Sequence, residues 1–299
     1  MQRFSDNARV CFVGDSITQT NLFVAHIATY YRKNLPEAKV EFYNCGLSGG
    51  SLTTMLKAFD EDTRFYNPTH AVLMIGINDS ARDALNGPTE CKYQVLKEAY
   101  DNYKVNLDEL CQKFKEMGTE LILCTPMPYA EYMNSEQPTL HGGSALLLGY
   151  AEFIKKYAKE NGYAVCDYHS YATRIMQNEN IYNPDRVHPN SRGHYYMAKC
   201  FLEFQGFDLG EEKELPADIQ EWHAVVARVR DTIAAEHFIL NDDFTTTQEE
   251  RMTAIKDYFE KEQTGPYVNY FKLLAGKYIS EKVNQEENIK FLMDFMKNQ

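Results

Sequence analysis

The sequence predicts an α/β protein: a three-layer α/β/α, doubly wound sandwich around a five-stranded parallel sheet, followed by a helical appendage. Two observations carry this. Short apolar runs alternate with longer amphipathic stretches through the first two thirds of the 299 residues, and the pattern becomes purely helical after about Phe207. Strand followed by helix, repeated, implies a parallel sheet covered on both faces. Right-handed crossovers then leave a doubly wound, flavodoxin-like arrangement as the simplest closure.

The strand candidates, in order, are Val10–Val13, Lys39–Tyr43, Ala71–Ile75, Glu120–Cys124 and Tyr163–Cys166. Between them, Leu22–Asn34, Cys91–Met117 and Ala145–Glu160 carry apolar residues at helical spacing, and Asn161-Gly162 closes the last as a C-cap pair. A further helix is expected from about Ser191. Gly206, Gly210, Glu211-Glu212-Lys213-Glu214 and Pro216 form a polar break, which divides the chain into residues 1–206 and a helical extension, 207–299. In that extension Ala217–Phe238, Thr247–Gln263, Tyr267–Ile279 and Glu281–Lys297 read as helices. Ile219, Trp222, Val225, Val226, Val229 and Ile233 form an apolar stripe on the first of them. Such a stripe wants burial, against the sheet domain or in a homodimer.

Composition narrows the function. Hydrophobic residues make up 44% and charged residues 25%, ordinary for a globular chain and unlike a disordered one. Lys and Arg number 31 against 43 Asp and Glu, a net charge of −12, so a nucleic-acid partner is not expected. No apolar run approaches the roughly 18 residues that span a bilayer, and Met1–Asn7 lacks a signal-peptide layout, so no membrane partner is expected either. Cys11, Cys45, Cys91, Cys111, Cys124, Cys166 and Cys200 are scattered and form no C-x-x-C pair; reduced thiols and a cytoplasmic location are the expectation.

The chemistry sits at strand ends, where a parallel sheet presents ligands. The first strand runs into Gly14-Asp15-Ser16, placing a serine on the turn into a helix. Alone, Ser16 reads better as a helix cap. The second run ends at Asn44-Cys45-Gly46-Leu47-Ser48-Gly49-Gly50. It lacks the G-x-G-x-x-G spacing of a dinucleotide site, but glycine lets a backbone N–H approach a ligand oxygen. The third ends in Gly76-Ile77-Asn78-Asp79, where Asn78 brings a side-chain NH₂ to the same rim, or merely an Asx turn. Far downstream, Asp185 and His188 are three apart, so one turn can bring a carboxylate to the imidazole Nδ1–H. Each signal is weak singly. Together they supply nucleophile, oxyanion donors, base and orienter, the parts of an acyl-transfer site.

This set resembles the SGNH (GDSL-type) hydrolase superfamily, whose four blocks carry Ser, Gly, Asn and His in this order. Gly14-Asp15-Ser16 matches the first block, Asn44-x-x-x-x-Gly49 the second, Gly76-x-Asn78-Asp79 the third and Asp185-x-x-His188 the last. Thr125-Pro126 and the run His188-Pro189-Asn190 to Met197-Ala198 are also similar, so the likeness covers roughly residues 8–205. Gly46, Gly49 and Gly50 compete for the oxyanion role; spacing from Asn44 favours Gly49, with Gly50 second. The expected mechanism has Ser16 attack an ester carbonyl, His188 take its proton and Asp185 orient the imidazole. The N–H groups of Ser16 and Gly49 and the Asn78 side chain then hold the oxyanion. Asp15 and Asp79 are expected to support local loops by accepting backbone N–H bonds. No metal or organic cofactor is implied, since no metal-ligand spacing occurs among the histidines; His194 is expected to be a packed or surface side chain. The resemblance implies a small-molecule ester as substrate, with an O-acetylated sugar as first expectation. The rivals are a lysophospholipid or acyl thioester on the same triad, and a non-catalytic carbohydrate-binding protein on this fold.

Overall fold

The computed structural model describes residues 3–60, 62–85, 93–220, 222–224, 226–227 and 230. Five strands, β1 (Arg9–Gly14), β2 (Glu41–Gly46), β3 (His70–Met74), β4 (Glu120–Cys124) and β5 (Ala164–Cys166), form one sheet in the order β2-β1-β3-β4-β5. Every pairing is parallel. Central β1 and β3 are apolar on both faces and buried almost throughout, as strands covered from two sides must be. Edge strand β2 exposes Glu41 at its start.

The register makes the sheet's C-terminal edge level. Gly14 pairs with Gly46 on one side and Met74 on the other, Met74 with Cys124, and Cys124 with Cys166. The connections after β1 and β2 therefore leave from the same rim as that after β3. In this strand order β1 and β3 flank the point where the winding reverses, which leaves a crevice outside their carboxyl ends.

Helices α1 (Ser16–Gln19), α2 (Leu22–Asn34), α3 (Leu52–Ala58), α4 (Arg82–Leu85), α5 (Tyr93–Glu116), α6 (Gly143–Asn161), α7 (Tyr168–Met176) and α8 (Ser191–Phe204) complete the chain to this point. α2 packs on α8 and α8 on α7, while α3 packs on α5 and α5 on α6, one group to each face of the sheet. Phe12 lies at the centre of the first layer, 5.7 Å from Phe23 and 5.9 Å from Phe201. On the other face Tyr103 and Tyr150 stack at 3.8 Å, and their hydroxyls donate to the carbonyls of Ile75 and Asp79, supporting the end of β3 from beneath. Among the described residues no helix is long and apolar enough to cross a membrane. The six described cysteines are buried.

Most boundaries shift from the pattern by one or two residues, and two differences are larger. β2 runs three residues beyond Tyr43, through Asn44, Cys45 and Gly46. A polar residue is tolerated there because the Asn44 amide donates to the Thr18 carbonyl and the Asn21 side chain while its oxygen accepts the Gly46 N–H. α7 is unmarked in the pattern yet capped by Asp167, whose carboxylate accepts the Ser170 N–H and the Thr125 hydroxyl.

Contacts divide the chain into two compact units, Met1–Pro216 and Ala217–Gln299. The polar break near residue 206 lies within the first: Tyr195 Oη and Lys199 Nζ donate to the Gly210 carbonyl, and the Arg192 guanidinium pairs with Glu212. In the second unit Ala217–Gln220 are helical, and Ile219, Trp222 and Val226 of the apolar stripe are buried. The remaining helices expected there lie outside the described residues, as do Val225, Val229 and Ile233 of the stripe.

Candidate active site

Asp15 leaves β1 in an extended conformation and caps α1, its Oδ1 accepting the Ile17 N–H at 2.9 Å. That cap turns the chain sharply, so Ser16 opens the helix half-buried at the rim. Ser16 Oγ lies 2.7 Å from His188 Nε2, across 172 residues of sequence. His188 Nδ1 is 2.6 Å from Asp185 Oδ2. A carboxylate only accepts, so the ring proton sits on Nδ1 and Nε2 is left to accept from the serine hydroxyl. The other Asp185 oxygen accepts the N–H groups of Val187 at 3.0 Å and His188 at 2.9 Å. Burial works against the Asp185 charge, but the His188 N–H, the imidazole and the Val187 N–H outweigh it and hold the carboxyl below the usual range.

Beside this line opens a cavity of about 720 Å³, walled by Gly49, Asn78 and Arg82 on one side and by Tyr129, Gln137 and Pro138 among others. Of the two glycines favoured by spacing, Gly50 spends its N–H on the Leu47 carbonyl at 2.8 Å. Gly49 lines the cavity with φ +71°, a left-handed conformation that favours glycine. Gly46 is required for a different reason: a Cβ there would stand 2.3 Å from the backbone nitrogen of Gln19, where α1 crosses the end of β2. Asn78 Nδ2 donates to the Gly50 carbonyl at 2.9 Å, and its Oδ1 accepts from Arg82 at 3.1 Å.

Two carboxylates lie behind the site. Asp15 is 2% exposed, and burial pushes its acid up to about 6 against the opposing pull of the Ile17 N–H, His188 and Arg82. Asp79 Oδ1 accepts the Leu52 N–H at 2.9 Å, whereas its Oδ2 is sealed from solvent without a hydrogen-bond partner. Burial, reinforced by the neighbouring Asp15 charge, pushes Asp79 up to about 7. His194 is buried in the core, its ring stacked parallel to Phe23 at 6.3 Å. Among the described residues no group of three or more His, Cys, Asp or Glu side chains is placed to hold a metal ion.

Sequence reasoning passed over Arg186, which sits between Asp185 and His188. It is 5% exposed with φ +66°. Its guanidinium donates to four backbone carbonyls: Met133 at 3.1 Å, Ser135 at 2.8 Å, Pro138 at 3.3 Å, and Gln137. The Ala130 N–H returns a bond to the Arg186 carbonyl. Arg186 thus ties the cavity wall to the histidine loop. Its partners are carbonyls that any residue carries, so no side-chain pattern in the sequence marks it.

The chain is similar to several known proteins. An acetylxylan esterase from Geobacillus stearothermophilus is 25% identical over 226 residues, 69% of this chain and 97% of that one. A solved structure of an acetylxylan esterase from that organism superposes with a TM-score of 0.57 at 24% identity, covering 70% of this chain and 99% of that one. Other structures of it are catalytic mutants in which an aspartate, a serine or a histidine is replaced by alanine. A gut microbial diltiazem-metabolizing enzyme superposes with a TM-score of 0.64 at 24% identity, over 69% of this chain but only 48% of that one, about half its length. Residues 12–196 match the model of the GDSL-like lipase/acylhydrolase family, which takes in every strand-end segment described above; the chain belongs to that family, as a carboxylic ester hydrolase.

Proposed function

We propose that the chain is an O-acetyl esterase acting on carbohydrate esters through an acyl-enzyme on Ser16. The carrying observation is the hydrogen-bonded line from Ser16 Oγ through His188 to Asp185, beside a cavity walled by Asn78 and Gly49. His188 Nε2 takes the hydroxyl proton as Oγ attacks the ester carbonyl. Asp185 keeps the imidazole in the required tautomer and stabilises the imidazolium. The oxyanion is held by the N–H groups of Ser16 and Gly49 and by Asn78, each worth about 3 kcal/mol or a hundredfold in rate. His188 then protonates the departing sugar oxygen, freeing the alcohol, and water, activated by the same imidazole, releases acetate.

The acetylxylan esterase relative, 25% identical, supports a short acyl group. The acetylxylan esterase relative supports a sugar as the alcohol.

Acetate release from a panel of acetylated sugars, run beside p-nitrophenyl esters of increasing chain length, tests the reading. The expected result is turnover of acetyl esters falling steeply with chain length, loss of nearly all of it in Ser16→Ala, and stoichiometric phosphonate labelling at Ser16. Rising activity with chain length would overturn the substrate class. Wild-type turnover in Ser16→Ala would overturn the mechanism, and folded protein that takes no label would favour a binding protein.

A further inference from the structure

We propose that Arg82 is a positioning residue that sets the oxyanion hole by holding Asn78; this rests on the reading of Asn78 as an oxyanion donor. An asparagine amide at a strand end has two orientations that differ only by exchange of oxygen and nitrogen, and only one points N–H groups where they are needed. Here both ends of the amide are assigned by partners that cannot exchange roles. The Gly50 carbonyl can only accept, and takes one Nδ2 hydrogen at 2.9 Å. The Arg82 guanidinium can only donate, and binds Oδ1 at 3.1 Å. A flipped amide would set Oδ1 against the Gly50 carbonyl and NH₂ against a cation. The orientation that remains leaves Asn78 one uncommitted Nδ2 hydrogen at the wall of the 720 Å³ cavity.

Charge adds to geometry. A guanidinium donating to the amide oxygen draws electron density from the nitrogen, so the remaining N–H becomes a stronger donor to developing negative charge. The backbone is bent to deliver this group. Ala81, immediately before Arg82, takes φ +53°, a left-handed conformation that a residue with a Cβ rarely adopts. That turn starts α4 at Arg82, four residues after Asn78, and both Ala81 and Arg82 face the cavity. Strain retained beside a reacting centre is the pattern expected where geometry serves function. Arg82 is itself exposed, so its removal leaves the core intact.

The test is a double-mutant cycle on acetyl-ester hydrolysis, with Arg82→Met, Arg82→Lys, Asn78→Ala and the double variant Asn78→Ala/Arg82→Met in the full chain. Arg82→Met is expected to lower kcat about tenfold with KM unchanged, a fraction of the roughly hundredfold loss in Asn78→Ala. Arg82→Lys is expected to recover part of the loss. In the Asn78→Ala background Arg82→Met should have no further effect, since nothing remains for it to hold. A loss of the same size in that background, or one confined to KM, would show that Arg82 grips the substrate itself and would overturn the proposal alone. Wild-type kcat in Asn78→Ala would instead remove the oxyanion reading, and the proposal with it.

Discussion

Replacing Asp79 by asparagine should make the protein relatively more stable as pH rises. Asp79 keeps its Oδ1 on the Leu52 N–H, but Oδ2 is sealed and unpartnered, and burial lifts the acid from its ordinary 3.8 to about 7. Between those values the unfolded chain has released the proton while the folded chain retains it. The wild type therefore loses stability with rising pH, at about 1.4 kcal/mol per pH unit, until the folded group ionises near 7. Between pH 5 and pH 8 this amounts to about 3 kcal/mol. Asparagine cannot ionise. It retains the acceptor for Leu52 and places an amide where Oδ2 was, at a pH-independent cost of about 1–3 kcal/mol for unpaired N–H groups. Urea denaturation of both proteins at pH 5, 6, 7 and 8 measures the difference. Asp79→Asn should be the less stable protein at pH 5, and should gain about 3 kcal/mol on the wild type by pH 8. Asp15 titrates in both proteins and cancels to first order. Parallel stability curves would refute the reasoning, because they would mean that Asp79 ionises as easily folded as unfolded.

Two further outcomes follow from named contacts. Gly46→Ala drives a Cβ to 2.3 Å from Gln19 N, backbone that no rotamer change can relieve. Its denaturation midpoint should fall by the equivalent of about 3 kcal/mol, with a drop in kcat as the end of β2 and the Gly49 turn shift; an unchanged midpoint would mean that α1 does not lie against β2. Arg186→Met leaves four carbonyls without their donor, a loss of about 4 kcal/mol at roughly 1 kcal/mol each, and should raise KM and lower kcat together, as steady-state kinetics on an acetyl ester will show.

What the sequence made legible was local or periodic. β4 and α2 coincide with the apolar pattern, Glu120–Cys124 and Leu22–Asn34, because both are set by burial of their own residues. Ser16, Gly49 and Asn78 were legible as positions because strand ends are visible as the points where apolar runs stop, Asp185 and His188 because a carboxylate and an imidazole stand three residues apart. The distances were not, since 172 residues separate Ser16 from His188 and only the tertiary fold closes that gap. The choice of Gly49 over Gly50 turned on spacing; the Leu47 carbonyl that occupies the Gly50 N–H is invisible to spacing. Arg82 and Arg186 escaped notice for a related reason. One binds a side chain within a strained turn and the other binds main-chain carbonyls, so each reads as a solvated cation until the backbone is placed.

These bonds also divide the site into two structural parts. The turns after β1, β2 and β3 are stitched to one another: Asn44 to the Thr18 carbonyl, Gln19 to the Ser48 N–H, Asp79 to the Leu52 N–H and Asn78 to the Gly50 carbonyl. The proposed nucleophile and oxyanion donors therefore share one preorganised body, which is where electrostatic stabilisation of a transition state must be fixed in advance. The opposite wall, carrying Tyr129, Gln137 and Pro138, is held instead to the histidine loop through Arg186 and through the Ser135 hydroxyl on the Pro184 carbonyl. A substrate seated between the two parts meets chemistry on one side and shape on the other. Substitutions of side chains on the wall should consequently alter which alcohol is accepted while leaving the rate on a small activated ester near that of the wild type. Substitutions in the stitched turns should depress every substrate alike.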